Sequence, residues 1–140
     1  MDSSSGQRTL AAIVFTDVVG FTMLMGRDES GTLQALNRDF KLMEGICTSH
    51  SGQVLKRTGD GLLLKFSSAL DAVEAGLSMQ EQLHSQALEL NPEAILEHRI
   101  GIHLGDVVLQ DSDIVGDGVE RSPGAFADGE RVGGLAWRGE

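Results

Sequence analysis

Three things are scarce in this chain of 140 residues: cysteine, positive charge and long apolar runs. Its one cysteine, Cys47, cannot form an intramolecular disulfide, and a reducing, cytoplasmic setting is the simplest inference. Lysine and arginine number 11 against 21 aspartates and glutamates. The resulting net charge of -10 argues against a nucleic acid or an anionic membrane as a partner. No apolar run approaches the roughly 20 residues that a membrane-spanning helix needs, so we expect no membrane contact encoded in this chain.

Several common catalytic arrangements are missing as well. No Ser-His-Asp or Cys-His combination is visible, and His50, His84 and His98 lie near predicted element ends without the spacing of metal ligands. His103 lies on a predicted strand, where a histidine on the sheet face is the simpler interpretation. Cys47 falls on an apolar helix stripe and is predicted to be core. The chain is otherwise 41% hydrophobic and 23% charged, which suits one domain with a real core.

The hydrophobic pattern predicts an alternation of strands and helices. Residues 10–15 form a continuous apolar run that predicts a buried strand. Residues 53–56 and Leu62–Phe66 predict a hairpin, joined by the Thr58-Gly59-Asp60-Gly61 turn. Between them, a helix is predicted from near Asp28 or Ser30 to residues 50–52, because apolar residues recur at steps of three and four: Leu33, Leu36, Phe40, Met43 and Cys47.

The second half of the chain predicts the same kinds of element. Ser67 is the predicted N-cap of a second amphipathic helix, whose apolar residues are Ala69, Leu70, Val73, Leu77 and Leu83. Residues 99–104 and 106–109 predict two strands separated by a turn at Gly105. This order predicts an α+β fold, with an antiparallel sheet covered by helices. Residues 1–8 are expected to be a flexible N-terminus, residues 9–119 the domain, and residues 120–140 an atypical, poorly ordered tail.

Asp17 follows the first predicted strand, at the start of a turn. Its carboxylate is expected at the end of the sheet, beside free backbone N–H groups. Gly20 permits a close backbone approach to an anion, and Phe21 and Thr22 could begin a short helix whose N-terminus favours phosphate. From the spacing alone, a simple turn-capping role for Asp17 is an equally good interpretation.

Asp60 lies between two glycines at the predicted hairpin tip. Taken alone it is best explained as a turn residue, since Asp-Gly is a favoured hairpin dipeptide. Together with Asp17 it indicates a shared site for divalent cations, because neighbouring strand ends can bring two carboxylates into one coordination shell. Lys56 lies four residues earlier, on the same strand face as Asp60 by even spacing. An ordinary solvated lysine is the simpler alternative for Lys56.

Asp113 belongs to an acidic stretch that also holds Asp111 and Asp117. A calcium loop would need acids at alternating positions and a distant glutamate in register between two helices. The predicted strand before Asp113 argues against that arrangement. From spacing alone, Asp113 is one loop acid among others.

Four stretches taken together resemble the class III adenylate/guanylate cyclase catalytic domain. They are residues 15–22 (FTDVVGFT), 56–61 (KRTGDG), 101–107 (GIHLGDV) and 113–119 (DIVGDGV). Their order and intervals fit this family over residues 9–119. The resemblance implies a ferredoxin-like sheet related to polymerase palms, which agrees with the predicted order of elements.

The resemblance also implies roles for the matching residues. Asp17 and Asp60 would bind two divalent metal ions, Mg²⁺ or Mn²⁺, with help from the Val18 carbonyl. Lys56 and Asp113 would read the purine edge, and they resemble the adenine-selecting pair, since a carboxylate accepts from the adenine amino group and a lysine donates to a ring nitrogen. The β- and γ-phosphates would face the backbone of Val19, Gly20, Phe21 and Thr22.

The implied reaction is the conversion of ATP to cyclic AMP and pyrophosphate. In this family the site lies between two domains, one supplying the metal-binding aspartates and the other the residues that read the base. A chain with one such domain would therefore need a head-to-tail, two-fold homodimer with two sites.

The resemblance ends after Val119. The family continues with an asparagine that orients the ribose and an arginine that stabilises charge on the phosphates, whereas Glu120 and Gly124 stand at those positions. A glutamate repels a triphosphate and a glycine supplies no cation. We therefore expect weak turnover or none, and hypothesise a truncation or a reading-frame slip after Val119. The alternatives are a non-catalytic nucleotide-binding or dimerisation module and a guanylate cyclase, against which Lys56 and Asp113 argue.

Overall fold

The computed structural model describes residues 7–110, 113–116, 130–132 and 135–137, with side chains from residue 10 to residue 105. Within these ranges the elements follow in the order β1 (Gln7–Val18), α1 (Phe21–Arg27), α2 (Glu29–Ser49), β2 (Gln53–Arg57), β3 (Leu62–Phe66), α3 (Ala69–Ala87), a short 3-10 turn (Pro92–Ala94), β4 (His98–Gln110), β5 (Asp113–Gly116), β6 (Glu130–Val132) and β7 (Leu135–Trp137).

The described strands form one sheet in the order β2-β3-β1-β4-β7-β6, with β5 paired to β4. Strand β1 lies in the middle, antiparallel to both β3 and β4, and its ladder with β4 runs without interruption from Gln7↔Leu109 to Val18↔His98. Strand β7 runs parallel to β4. The predicted α+β fold with an antiparallel sheet and covering helices is confirmed.

The two long helices cover one face of the sheet, and the alternation of side chains along β1 separates its two faces. Ala12 and Val14 belong to a core shared with α2 and α3, whereas Ile13 and Phe15 are buried on the opposite face. Asp17 continues the second set. The carboxylate of Asp17, at the end of β1, therefore lies on the face of the sheet away from the helices.

Helix α2 matches its predicted bounds and apolar stripe closely. Asp28 caps it by accepting a hydrogen bond from the Gly31 amide. Of the predicted stripe, Leu33 alone is exposed, at 43%. Cys47 is fully buried as predicted, and burial, followed by the charge of Glu44, raises the pKa of its thiol to about 11.

Helix α3 is rotated relative to its predicted stripe. Leu70, Val73 and Leu77 are exposed. Of the predicted stripe, Leu83 faces the core, and the other residues that do so are Ala72, Ala75, Gly76 and Met79. Small side chains let a helix approach a sheet closely, so this second stripe is the one that packs. The cap also differs, since the hydroxyl of Ser68, not that of Ser67, accepts from the Asp71 amide.

Strand β4 corrects a second prediction. The expected turn at Gly105 is absent from the described ladder, because Gly105 pairs with Ala11 inside a continuous strand. Pairing with the long β1 on one side keeps the glycine extended. The strands β6 and β7 were not predicted either. They lie within residues 120–140, whose expected disorder otherwise falls outside the described residues.

A buried charged cluster joins the helices to the start of β4. The Asp39 carboxylate on α2 is 2% exposed and accepts hydrogen bonds from Arg38 Nε at 2.9 Å, Gln86 Nε2 at 2.8 Å and His98 Nε2 at 2.8 Å. Arg38 also donates to the Ala94 carbonyl at 2.9 Å. Burial alone raises the pKa of Asp39, but these hydrogen bonds and the charge of His98 outweigh it and hold the pKa below its usual value.

Candidate active site at one end of the sheet

Asp17 lies next to last in β1, where the buried strand reaches solvent. Its side chain is 25% exposed. The neighbouring Val18 is buried, and its amide points toward the β2–β3 hairpin. The position of Asp17 therefore follows from a long apolar strand that ends in a carboxylate, as the sequence predicted.

The β2–β3 hairpin brings Asp60 to the same place. The amide of Val18 donates to Asp60 Oδ2 at 3.3 Å, so the second carboxylate lies against the peptide that follows Asp17. A Cβ atom on Gly61 would collide with the carbonyl oxygen of Thr16, so only glycine allows the hairpin end to approach β1 this closely. The Thr16 hydroxyl accepts from the Leu62 amide at 2.9 Å and secures the same contact. The two aspartates thus share one end of the sheet.

Arg99 is a site residue that the sequence analysis missed. It pairs with Asp17 across the β1–β4 ladder, and its guanidinium donates to both carboxylate oxygens, Nε to Oδ1 at 2.8 Å and Nη2 to Oδ2 at 2.7 Å. This hydrogen bonding, more than offsetting the burial of the guanidinium, raises the pKa of Arg99, to which the charges of Asp17, Asp60 and Glu97 add. Strand alternation was the signal that could have found Arg99, because it places this residue on the sheet face opposite to the core residues Ile100 and Ile102.

The turn after β1 leads into the predicted short helix, but it offers one free backbone amide fewer than expected. Gly20 adopts φ +67° before α1, a conformation that a residue with a side chain rarely takes. Helix α1 starts at Phe21 as predicted. The Val19 amide, however, donates to the Glu97 carbonyl at 2.9 Å, so it does not face outward. Of the four residues whose backbone was expected to face the phosphates, Gly20, Phe21 and Thr22 therefore remain as candidates.

Lys56 lies on the same sheet face as Asp17. It pairs with Leu63, which in turn pairs with Phe15, two residues before Asp17 on the same side of β1. The ladder shifts between Val54 and Lys56, which marks a β-bulge. Even spacing placed Lys56 on the same strand face as Asp60; the observed pairing puts Lys56 on the face of Asp17, through a bulge that was not foreseen.

Asp113 lies at the other end of β4. It is the first residue of β5 and pairs with Gln110, whereas Asp17 pairs with Arg99. Within one copy of the chain, the ladder therefore separates Asp113 from Asp17 by most of the length of β4, and it does not place Asp113 beside Lys56. Glu120 and Gly124 fall outside the described residues.

The two carboxylates at this end of the sheet suit Mg²⁺ or Mn²⁺ bound together with substrate and water. They do not suit a metal ion that is enclosed by protein ligands alone. The described residues contain no group of three or more His, Cys, Asp and Glu side chains that could hold a metal ion. Two carboxylates at a solvent-accessible edge match the way Mg²⁺ is commonly bound, through one or two carboxylates with substrate phosphates and water. The chemistry of Asp17 and Asp60 thus fits the implied ions.

Comparison with known proteins agrees with this geometry. A family model described as "Adenylate and Guanylate cyclase catalytic domain" matches residues 4–119. "Putative adenylate cyclase 3" of Rhizobium meliloti (strain 1021) is 41% identical over 120 residues, which are 85% of this chain and 20% of that protein. This chain therefore spans about a fifth of the length of that curated relative.

Two solved structures share the fold. The adenylate/guanylate cyclase/hydrolase from Silicibacter pomeroyi is 35% identical with a TM-score of 0.70, covering 81% of this chain and 67% of that one. The guanylyl cyclase Cya2 is 28% identical with a TM-score of 0.73, covering 89% of this chain and 72% of that one. Because the family model covers most of the chain, the chain belongs to the adenylate and guanylate cyclase catalytic domain family.

No helix among the described residues is both long and apolar enough to cross a membrane.

Proposed function

We propose that this chain is an adenylate cyclase domain that binds ATP with two divalent metal ions, at Asp17 and Asp60. The observation that carries the proposal is the hydrogen bond from the Val18 amide to Asp60, which sets the second carboxylate beside the first. The relative named as a putative adenylate cyclase supports the same substrate. Bound Mg²⁺ or Mn²⁺, with the Val18 carbonyl as a further ligand, would supply positive charge to the triphosphate and acidify the ribose hydroxyl.

The proposed reaction is intramolecular. The 3′-oxygen of the ribose attacks the α-phosphorus, and the bond from that phosphorus to the bridging oxygen of the β-phosphate breaks. The products are cyclic AMP, pyrophosphate and the proton of the former hydroxyl. The amides of Gly20, Phe21 and Thr22 would donate to the phosphates, because the first N–H groups of a helix have no intrahelical acceptor. Arg99, already beside Asp17, would add a fixed positive charge to the same place.

Two copies of the chain would form each site. The ladder separates Asp17 from Asp113 within one copy, and a two-fold axis can bring the Asp113 end of one copy to the Asp17 end of the other. Lys56 would come from the same copy as Asp113, on the sheet face that also carries Asp17 and lies away from the helices. In this proposal Lys56 and Asp113 select adenine, and the homodimer has two equivalent sites.

The expected turnover is weak or absent. Glu120 and Gly124 stand where the family has a ribose-orienting asparagine and a phosphate-stabilising arginine. Preorganised positive charge around a transferring phosphoryl group is a large contribution to catalysis, and its loss is severe. The same two residues favour the second candidate function, a non-catalytic module that binds a nucleotide and dimerises.

Binding and turnover should be measured side by side to test the proposal. Isothermal titration with a non-hydrolysable ATP analogue and Mn²⁺ is expected to show binding, and chromatography of an ATP incubation is expected to show little cyclic AMP or none. Binding without product would support the module. Strong cyclic AMP production would refute the expected low turnover, GTP preferred over ATP would refute the substrate, and no binding of either nucleotide would refute both functions. A reducing, cytoplasmic setting remains a prediction from the single cysteine.

A further inference from the structure

The bulge in β2 decides which way Lys56 faces. Val54 packs against the core beneath the helices, and a regular strand would turn residue 56 to that same side. The ladder instead pairs Val54 with Leu64 and Lys56 with Leu63, so Leu55 is the extra residue. A one-residue shift of this kind moves every following side chain to the opposite face. Lys56 is thereby turned toward the face of Asp17, and Arg57 toward the helices.

Arg57 holds that shifted register against helix α2. Its Nε and Nη2 donate to the two carboxylate oxygens of Glu44 at 2.8 and 3.2 Å, and its Nη1 donates to Asn37 Oδ1 at 3.1 Å. The guanidinium also lies 5.1 Å from the centre of the Phe40 ring, whose residue is 2% exposed. We call these three partners with Arg57 the Arg57 clamp.

The Arg57 clamp is stronger than an ordinary surface ion pair. The Arg57 side chain is 41% exposed, and a single exposed pair contributes little to stability. Bidentate geometry, a third hydrogen bond and a buried aromatic ring make its orientation specific. In the described sheet, β2 is an edge strand bonded only to β3, so few other contacts restrain its register.

We propose that Arg57 is a positioning residue for purine recognition: its clamp on Glu44, Asn37 and Phe40 maintains the β2 bulge that turns Lys56 toward the nucleotide face. This inference rests on the proposed nucleotide-binding function. Arg57 itself points away from the nucleotide and acts through Lys56. Without the clamp, β2 can lose its bulge, and Lys56 then leaves the nucleotide face.

A double-mutant cycle with fluorescent ATP and GTP analogues and Mn²⁺ tests this inference. The variants are Arg57→Ala, Lys56→Ala and the combination of both, with Lys41→Ala as the control because it removes an exposed cation from α2 outside the clamp. We expect Arg57→Ala to weaken binding of the ATP analogue about three- to tenfold and to reduce the preference over GTP. In the Lys56→Ala background the same change should have no further effect, and Lys41→Ala should match the wild type.

Hydrogen exchange provides a readout that needs no nucleotide. Amides of residues 54–57 are expected to exchange faster in Arg57→Ala than in Lys41→Ala, with those of β1 unchanged. Should Arg57→Ala fail to fold, Glu44→Gln weakens the same clamp, and the same direction of change is expected.

Three results would overturn the inference. They are Arg57→Ala binding equal to wild type, effects of Arg57→Ala and Lys56→Ala that add in full, and unchanged exchange in β2. Wild-type protein that binds neither analogue would refute the proposed function as well. This last result is distinguishable, because it appears before any substitution is made.

Discussion

The guanidinium of Arg99 forms a two-bond ion pair with the carboxylate of Asp17, with N to O distances of 2.8 and 2.7 Å. In this conformation both oxygens of Asp17 are engaged by a side chain of the same chain. A divalent ion that binds Asp17 must therefore share the carboxylate with Arg99 or displace it. Among the described residues, Asp60 accepts a hydrogen bond from the Val18 amide at 3.3 Å and no two-bond guanidinium contact, so the two carboxylates offer unequal starting points for a metal.

Replacing Arg99 by alanine should tighten Mn²⁺ binding in the absence of nucleotide. The substitution removes a competing cation from Asp17, and we expect affinity to rise about three- to tenfold. Titration followed by the electron paramagnetic resonance signal of free Mn²⁺ measures it. The Lys41→Ala variant loses the same charge from α2, which covers the opposite face of the sheet, and serves as the control. Unchanged or weaker Mn²⁺ binding in Arg99→Ala would show that Arg99 does not compete with the metal.

Replacing Asp60 by asparagine should separate metal binding from folding. The amide oxygen of an asparagine can still accept the Val18 hydrogen bond, so the melting temperature should remain close to that of the wild type. The loss of a charged ligand should nevertheless weaken Mn²⁺ binding by about tenfold or more. Calorimetry gives the first quantity and Mn²⁺ titration the second. Metal affinity that survives in both Asp60→Asn and Asp17→Asn would contradict the proposed site.

The two glycines around Asp60 should respond very differently to alanine. A Cβ atom at residue 61 collides with the Thr16 carbonyl, whereas one at Gly59 meets nothing within 4 Å. Gly61→Ala should therefore lower the free energy of unfolding by about 1–3 kcal/mol and displace the hairpin, while Gly59→Ala should change it little. Urea denaturation of the matched pair measures both. Equal stability of the two variants would mean that the hairpin end does not need its close approach to β1.

The buried Asp39 should make stability depend on acid pH. Its pKa in the folded protein lies below the unfolded value of 3.8, so the ionised form is the one that folding favours. Its contribution is complete above pH 3.8 and is lost as the pH falls through the lower, folded value. Asp39→Asn should flatten this acid dependence and cost about 3–5 kcal/mol near neutral pH, because it removes a buried carboxylate that Arg38, Gln86 and His98 all hydrogen-bond. Denaturation across a pH series measures this dependence. If Asp39 were not its cause, the stability of Asp39→Asn would change with pH in the same way as that of the wild type.

Much of the candidate site could be predicted because its signals are local. Asp17 follows a run of apolar residues, Asp60 lies in a glycine-flanked turn, and each pattern is complete within a few positions. Arg99 could not be found this way, since its partner Asp17 is 82 residues distant along the chain. The orientation of α3 was likewise undetermined, because its sequence carries two apolar stripes, and periodicity does not say which of them packs against the sheet.

By itself, the sequence determined β1, α2, the β2–β3 hairpin and the motifs at their ends, because hydrophobic period, capping and turn chemistry act over short distances. Only the tertiary structure decided that Arg99 lies on Asp17, that a bulge turns Lys56 to the face of Asp17, and that Asp113 lies at the far end of β4. These depend on register and on contacts between distant segments, where a shift of one residue reverses the face on which a side chain appears.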